Sequence, residues 1–300
     1  MELLFLGTSS MVPTKERNHS ALIVSHESEQ ILIDCGEGTQ RQMRIAGVKP
    51  SKITKILITH WHGDHVFGLP GLLQTMAASG YEGKLQLFGP KGTVKKFELL
   101  KQASLGENSQ NSLMEIMVSD VKDTVFFETE DYRLEALPLE HTVPCLGYSF
   151  VEKEKARIDV NAAKKIGIPE GPLLRELQSG NAVMWNGKTV RPEQVTYQKK
   201  GKKVSFIFDT AFCDNCIMLA EGADVLVCEA TYAADREDKA ASYLHLTAKQ
   251  AAMIANQANA RKLVLTHFSQ RYKDTQQIEE DARDIFDNVV CAKDFMKIRI

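Results

Sequence analysis

The chain is 300 residues long, 43% hydrophobic and 25% charged, with a formal net charge of −2. That composition holds enough apolar material for one large core or two modest ones, and it excludes a disordered or fibrous polymer. The near-neutral charge also removes the whole-molecule basic field that a general nucleic-acid binder would carry.

In chain order, the opening Met1-Glu2-Leu3-Leu4-Phe5-Leu6-Gly7 lacks a basic leader, and its apolar stretch is too short for a signal peptide. No later run approaches membrane-spanning length, so the cytoplasm is the expected setting. Strand-like apolar runs with Gly, Asp or Ser punctuation cover residues 2–6, 21–25, 31–34 and 53–59. Residues 38–45 and 70–78 read as helices, the second opening on a proline. A second set of strands follows at 85–88, 125–127, 134–139, 204–208, 225–228 and 263–266, with helices at 247–258 and 275–286. Two successive halves of sheet plus helix predict an α/β protein, a four-layer αβ/βα sandwich. Residues 153–195 break that rhythm. They are basic, lack β alternation and contain Gly167-Ile168-Pro169-Glu170-Gly171-Pro172, so they read as a protruding insertion with one short helix after the turn.

The densest chemistry lies in Thr59-His60-Trp61-His62-Gly63-Asp64-His65, three imidazoles and a carboxylate at the end of an apolar run. Neutral imidazoles and ionised carboxylates are the usual zinc ligands, and alternation along an extended segment turns His60 and His62 to one side. Asp64 and His65 then lie within reach of a second metal. The competing readings are a solvated loop and a satisfied core network. Three later runs also stop at a metal-capable side chain: His141 after 134–139, Asp209 after 204–208, and His267 after 263–266. Functional groups collect at the carboxyl ends of strands in layered α/β folds, so this repeated placement argues for one composite site.

Six cysteines are scattered without a disulfide-like framework, which points to reduced thiols. Cys213-Asp214-Asn215-Cys216 forms a CxxC that can be redox-active or bind zinc, but no second CxxC accompanies it, and packing thiols are the expectation. Charge is unevenly distributed. Residues 151–203 hold 12 Lys or Arg against 6 Asp or Glu, an excess of +6, and the remainder carries −8. A basic surface for an anionic partner and a solvated helical face both fit that excess.

Taken together, His60-x-His62-x-Asp64-His65, His141, Asp209 and His267 resemble the metallo-β-lactamase superfamily. Within it, Ile33-Asp34-Cys35-Gly36-Glu37-Gly38-Thr39-Gln40-Arg41-Gln42-Met43 resembles the second strand and turn of the ribonuclease Z family, the tRNA 3′-processing endonucleases. Pro13-Thr14-Lys15-Glu16-Arg17-Asn18 resembles its PxKxRN loop, and Cys228-Glu229-Ala230-Thr231 its HEAT motif with cysteine for histidine. His245-Leu246-Thr247 stands where many members have His-Ser-Thr. The resemblance covers nearly the whole chain, and the length matches the family's short form.

The resemblance implies two Zn²⁺ per subunit, with Mn²⁺ or Fe²⁺ able to use the same ligands. His60, His62 and His141 would take one metal, Asp64, His65 and His267 the other, and Asp209 would bridge them. It further implies an endoribonuclease in which an activated water cuts the 3′ trailer from precursor tRNA, leaving a 3′-hydroxyl on the tRNA and a 5′-phosphate on the trailer. Asp64 would act as general base and His245 as general acid, with Glu229 orienting His245. Capping of the helix after it is the plainer reading of His245. Lys15, Arg17 and Asn18 would read the 3′ end of the acceptor stem, against the alternative of a solvated turn. Residues 151–195, with Gly171 and Pro172, match the family's flexible arm, or exosite, for tRNA, and a homodimer would let one copy's arm serve the other's site. His19 and His26 are expected to be structural or exposed, and Trp61 to pack beneath the metal motif. A small-molecule phosphodiesterase or other hydrolase of the same fold, and a tRNA-binding scaffold with an inactive site, are the competing functions.

Overall fold

A computed structural model of the protein describes residues 1–105 and 114–300. In chain order the first strands are β1 (Glu2–Gly7), β2 (Ala21–His26), β3 (Glu29–Ile33), β4 (Ile53–Leu57), β5 (Lys84–Gly89) and β6 (Glu115–Asp120), with helices α1 (Thr39–Ile45), α2 (Gly63–Val66), α3 (Leu69–Ala78) and α4 (Thr93–Leu105) among them. Strands β7 (Val125–Glu128), β8 (Tyr132–Leu139) and β9 (Cys145–Glu152) begin the second half, followed by β10 (Lys155–Ile158), α5 (Val160–Ile166), α6 (Pro172–Gln178), β11 (Val183–Trp185), β12 (Lys188–Val190) and β13 (Thr196–Lys199). The chain then runs through β14 (Lys203–Ile207), α7 (Asp214–Ala220), β15 (Val225–Glu229), α8 (Glu237–Tyr243), α9 (Ala248–Gln257), β16 (Leu263–Thr266), α10 (Gln276–Arg283), β17 (Val289–Cys291) and β18 (Lys297–Arg299).

Residues 1–128, 134–150 and 203–300 form one compact unit. It is built on two seven-stranded sheets, ordered β18-β1-β2-β3-β4-β5-β6 and β17-β16-β15-β14-β9-β8-β7. Strands β3-β4-β5 in one sheet and β14-β15-β16 in the other pair in parallel. Strands of this kind bury most of their side chains and so are rich in apolar residues; Ile31, Leu32 and Ile33 are each at most 1% exposed. Helices α1 and α3 bury Met43, Leu69, Leu72, Leu73 and Met76 on the first sheet. Small residues on α9 (Ala248, Ala251, Ala252, Ala255) lie in the core of the second sheet. Helix α9 starts where the sequence places it because Thr247 and Gln250 form a reciprocal capping box. The two sheets are tied beyond the end of β4, where Tyr148 Oη donates to the Ile58 carbonyl at 2.7 Å and the Leu146 amide to that of Thr59 at 2.9 Å. This is the expected α/β four-layer αβ/βα sandwich. Among the described residues no helix is long and apolar enough to cross a membrane.

Several elements escaped the sequence reading. Strand β6 lies at a sheet edge and its inward-facing Ile116 and Val118 are only half-buried, with the exposed Met117 between them, so its alternation is weak. In β9 the interior Gly147 interrupts the pattern, yet a Cβ there would meet Leu219 Cδ2 at 2.5 Å, which is why the position is glycine. Strand β18 commits only Ile298 to the core.

Residues 129–133 and 151–202 form a second compact unit. Residues 153–195, expected to lack β alternation and to hold one short helix after the turn, contain short strands and two helices. Strands β10 and β13 pair antiparallel, as do β11 and β12, and helix α5 precedes the turn while α6 follows it. The strands are three or four residues long and half exposed, so their polar faces hid the alternation. Asp159 caps α5 by accepting from the Asn161 and Ala162 amides, Gly167 ends it at φ 80°, and Pro172 opens α6. Ala163, Ile168, Leu177, Val183, Val190 and Val195 make this unit's own small core.

Candidate metal centre

Every side chain of the centre lies just past the carboxyl end of a strand, in the segment that follows it. His60 and His62 follow β4, Asp64 and His65 lie in α2, His141 follows β8, Asp209 follows β14, and His267 follows β16. Their ligand atoms gather in overlapping groups that can hold a metal: His60, His62, His141 and Asp209; Asp64, His65 and His267; and Asp209, His245 and His267. Asp209 joins them through different oxygens. Its Oδ2 lies 3.6 Å from His60 Nε2 and 3.9 Å from His141 Nε2, while Oδ1 lies 3.2 Å from His267 Nε2 and 3.4 Å from His65 Nε2. Asp64 Oδ2 completes the second group, 3.4 Å from His65 Nε2 and 3.6 Å from His267 Nε2.

Buried carboxylates decide which ring nitrogen faces inward. Asp34, at the end of β3, accepts from the Thr59 amide on Oδ1 at 2.8 Å, and on Oδ2 from the Thr59 hydroxyl at 2.8 Å and His65 Nδ1–H at 2.7 Å. With its only proton spent on Asp34, the Thr59 hydroxyl must accept from His60 Nδ1–H at 3.1 Å. Across the site Thr231 repeats the device, donating to Glu229 Oε2 at 2.6 Å and accepting from His267 Nδ1–H at 3.0 Å. The Leu244 carbonyl takes His141 Nδ1–H at 3.1 Å. In the neutral rings Nε2 is thereby the nitrogen turned toward Asp209, and on His65 a cation would take the place of a proton there, which is how carboxylate–histidine pairs prepare a metal ligand. Asp34, His267 and Leu244 hold φ of 56°, 60° and 53°, left-handed values that cost a side-chain-bearing residue about 1–3 kcal/mol each and cluster at functional sites. Gly36 lets the turn after β3 pass under the metal loop, since a Cβ there would meet the Asp64 carbonyl at 2.3 Å.

The electrostatics favour cations. Burial lowers His60, His62 and His141, keeping them in the neutral form that binds metal. Burial also opposes charge on His65, yet Asp209, Asp64 and Asp34 hold it well above the usual range. Burial would raise Asp64 and Asp209, but the surrounding imidazoles hold both carboxyls well below theirs. His60 Nε2 and Asp209 Oδ1 are buried and have no hydrogen-bond partner. Buried polar atoms without partners are costly, and a divalent cation in each ligand group would satisfy them, one taking His60 Nε2 and the other Asp209 Oδ1. Nitrogen and carboxylate donors split by Asp209 fit a pair of such cations.

His245 borders this cluster. Its Nδ1 lies 3.0 and 3.2 Å from the two oxygens of Glu229 and 4.0 Å from Asp209 Oδ2. Burial lowers His245, but Glu229 outweighs it and the imidazole is raised to about 9. Glu229 is fully buried and also accepts from the Thr210 amide at 2.8 Å.

The other sequence candidates fall elsewhere. Lys15 is exposed in the loop after β1. Arg17, expected to read the acceptor end, is 9% exposed, and its guanidinium donates to the Tyr272 and Ser269 carbonyls beside the Phe268 ring. Asn18 likewise spends its side-chain amide on the Glu37 carbonyl at 2.8 Å and its backbone amide on Asp294 at 2.8 Å. Both pin loops of the core together. Gly171 has φ 145°, a conformation that favours glycine, and Pro172 follows it at the start of α6 in the second unit. His19 is buried with Nε2 3.0 Å from the Met11 carbonyl, His26 packs tilted against the Phe150 ring, and Trp61 packs against the first core while donating to Thr93. Sequence reasoning assigned no role to Asp34, Thr59 or Thr231. Asp34 carried the same strand-end signal as the ligands, but its backing role depends on contacts between neighbouring strands.

Residues 1–159 match the family described as anti-Pycsar protein Apyc1, and residues 186–268 match the beta-lactamase superfamily domain. A ribonuclease Z of Methanothermobacter thermautotrophicus is 41% identical, over 100% of this chain and 97% of that protein. A ribonuclease Z of Bacillus cereus is 40% identical, over 98% of this chain and 97% of that one. Among solved structures, human tRNase Z, short form, superposes with a TM-score of 0.72 at 29% identity, covering 100% of this chain and 99% of the other. A metallo-beta-lactamase fold protein of Bacillus subtilis also reaches 0.72, at 17% identity over 99% and 98% of the two chains, a likeness of fold.

Proposed function

Because the chain belongs to the ribonuclease Z family, we propose that it is a zinc-dependent endoribonuclease that cuts the 3′ trailer from precursor tRNA, leaving a 3′-hydroxyl on the tRNA and a 5′-phosphate on the trailer. One observation carries the chemistry: the two oxygens of Asp209 face separate ligand groups, as a bridge between two cations requires. His60, His62 and His141 would hold one cation and Asp64, His65 and His267 the other. When bound, such a pair acidifies water and neutralises charge on phosphoryl oxygens.

The chain's own groups supply the proton transfers and the positioning. Asp64 Oδ2 accepts from the Met11 amide at 2.9 Å, which orients the carboxylate and leaves Oδ1 to take a proton from the attacking water. His245 is the general acid. Glu229 engages its Nδ1 and keeps the ring charged at neutral pH, so Nε2 is the atom that protonates the departing ribose 3′-oxygen. Glu229 acts through His245 and, by way of Thr231, through His267, which makes it a positioning residue.

Substrate capture rests on charge. The +6 excess of residues 151–203 suits RNA phosphates, because displacing counterions gives affinity without reading sequence. In this reading residues 151–195, with Gly171 and Pro172, are the tRNA arm, and Lys15 is the member of its loop free to meet the acceptor end. The homodimer and the cytoplasmic setting belong to the same proposal and rest on the family resemblance; light scattering of the purified protein tests the former.

The deciding experiment incubates purified protein with a 3′-extended precursor tRNA, with and without chelator. A single cut at the trailer junction is expected, with a 5′-phosphate on the released fragment, loss of activity on chelation and recovery with Zn²⁺ or Mn²⁺. Intact RNA alongside rapid hydrolysis of a small phosphodiester would move the assignment to a small-molecule hydrolase.

A further inference from the structure

The CxxC of residues 213–216 takes no part in the chemistry above. Its sulfurs lie 3.5 Å apart at the start of α7, where the Cys216 amide also donates to the Cys213 carbonyl at 3.0 Å. The two thiols are unlike. Cys216 is fully buried in the core of the second sheet, whereas Cys213 is half-buried. Cys35, Cys145, Cys228 and Cys291 are all buried, so Cys213 is the one thiol of six with access to solvent. The sequence reading expected packing thiols for this motif, with redox chemistry and zinc binding as the alternatives. Structural zinc takes four ligands, and among the described residues no further His, Cys, Asp or Glu joins this pair to make a group of three.

We infer that Cys213 and Cys216 are a thiol–disulfide exchange site, with Cys213 as the attacking thiol, Cys216 as the resolving thiol and a small-molecule disulfide as the oxidant. Cys213 thiolate attacks one sulfur of RSSR, forming a mixed disulfide and releasing one RS⁻. Cys216 then attacks the Cys213 sulfur, closing the internal disulfide and releasing the second RS⁻. The two protein thiol protons end on two RSH, and two electrons pass from the protein to RSSR. Closure needs the sulfurs to approach from 3.5 Å to about 2.05 Å, a side-chain rotation within one turn of chain. The local field agrees with these roles. Hydrogen bonding from Cys216, then from the Glu140 backbone and the Thr210 hydroxyl, lowers Cys213 to about 6, while Cys216 is pushed up by the same partner and by burial. The pair follows Asp209 by four residues, and the intervening Ala211 amide donates to the carbonyl of Glu140, the neighbour of His141, at 2.8 Å. A disulfide here would therefore form on the backbone that carries two side chains of the metal centre.

The test uses the metal-loaded, full-length protein, equilibrated with increasing ratios of oxidised to reduced glutathione, then acid-quenched, alkylated and mapped by mass spectrometry. A reversible Cys213–Cys216 disulfide is expected, with the other four cysteines still alkylated after unfolding. Cys216→Ser should accumulate one glutathione on Cys213, and Cys213→Ser should show neither adduct nor internal disulfide. In the native wild type, brief iodoacetamide treatment should label Cys213 before any other cysteine, a readout that needs no variant to fold. Persistence of both thiols at every ratio, glutathione on a buried cysteine instead, or first labelling elsewhere would each overturn the inference.

Discussion

Replacing Asp34 with Asn tests how the centre is built without touching a ligand. The native carboxylate accepts three hydrogen bonds while 0% exposed, and its φ of 56° is one that Asn tolerates, so the backbone need not move. An amide cannot satisfy the same three donors. With its NH₂ at the Oδ1 position it faces the Thr59 amide, donor against donor, across 2.8 Å. With its NH₂ at the Oδ2 position, His65 must accept on Nδ1 and carry its proton on Nε2, and the Thr59 hydroxyl turns to donate to His60, moving that ring's proton to Nε2 as well. Both protons then occupy lone pairs that face the cations. Losing a hydrogen bond to a charged group costs about 1.5–3 kcal/mol, or roughly 10- to 150-fold, and changes behind a metal ligand typically cost about 10- to 100-fold in affinity or activity. We expect metal affinity, measured by competition with a chromophoric chelator, to fall by that factor of about 10 to 100. Precursor cleavage at limiting metal should fall in parallel and recover in part when metal is saturating. Affinity and cleavage both unchanged would refute the argument that Asp34 sets the His60 and His65 tautomers.

Four further outcomes follow. His245→Ala should lower kcat by about 100- to 10,000-fold, the usual contribution of a general acid; Glu229→Gln removes the group that holds His245 near 9, so the alkaline limb of the cleavage rate should shift to lower pH, and an unmoved limb would assign it to another group. Replacing residues 153–200 with a short linker should weaken precursor tRNA binding and flatten its salt dependence while sparing hydrolysis of a small phosphodiester, because the deleted segment carries most of the basic excess; equal loss of both activities would remove the docking role. Arg17→Ala should destabilise the fold by about 1.5–3 kcal/mol in urea denaturation, since it deletes a buried cation bonded to two carbonyls, whereas unchanged stability with a raised KM for tRNA would restore a substrate-reading role.

The sequence by itself determined which side chains form the candidate centre and roughly where each sits on a strand. Strand residues packed into a core are mostly apolar, so His60, His141, Asp209 and His267 stand out as metal-capable residues just past the ends of such runs. The same rule made the αβ/βα layering legible, while edge elements such as β6 and β18 and the short pairs of the second unit have too little buried surface to impose a pattern. Only the tertiary structure decided what lies behind and beside those side chains. Asp34 reaches His65 across 31 residues and Thr231 reaches His267 across 36, so neither pairing leaves a local spacing to read. Arg17 shows the converse: it looks like a free cation in an RNA-reading loop until residues more than 250 positions away close over its guanidinium. Residue type and strand-end position are local properties of the chain, but hydrogen-bond satisfaction in a buried site depends on segments that only folding brings together.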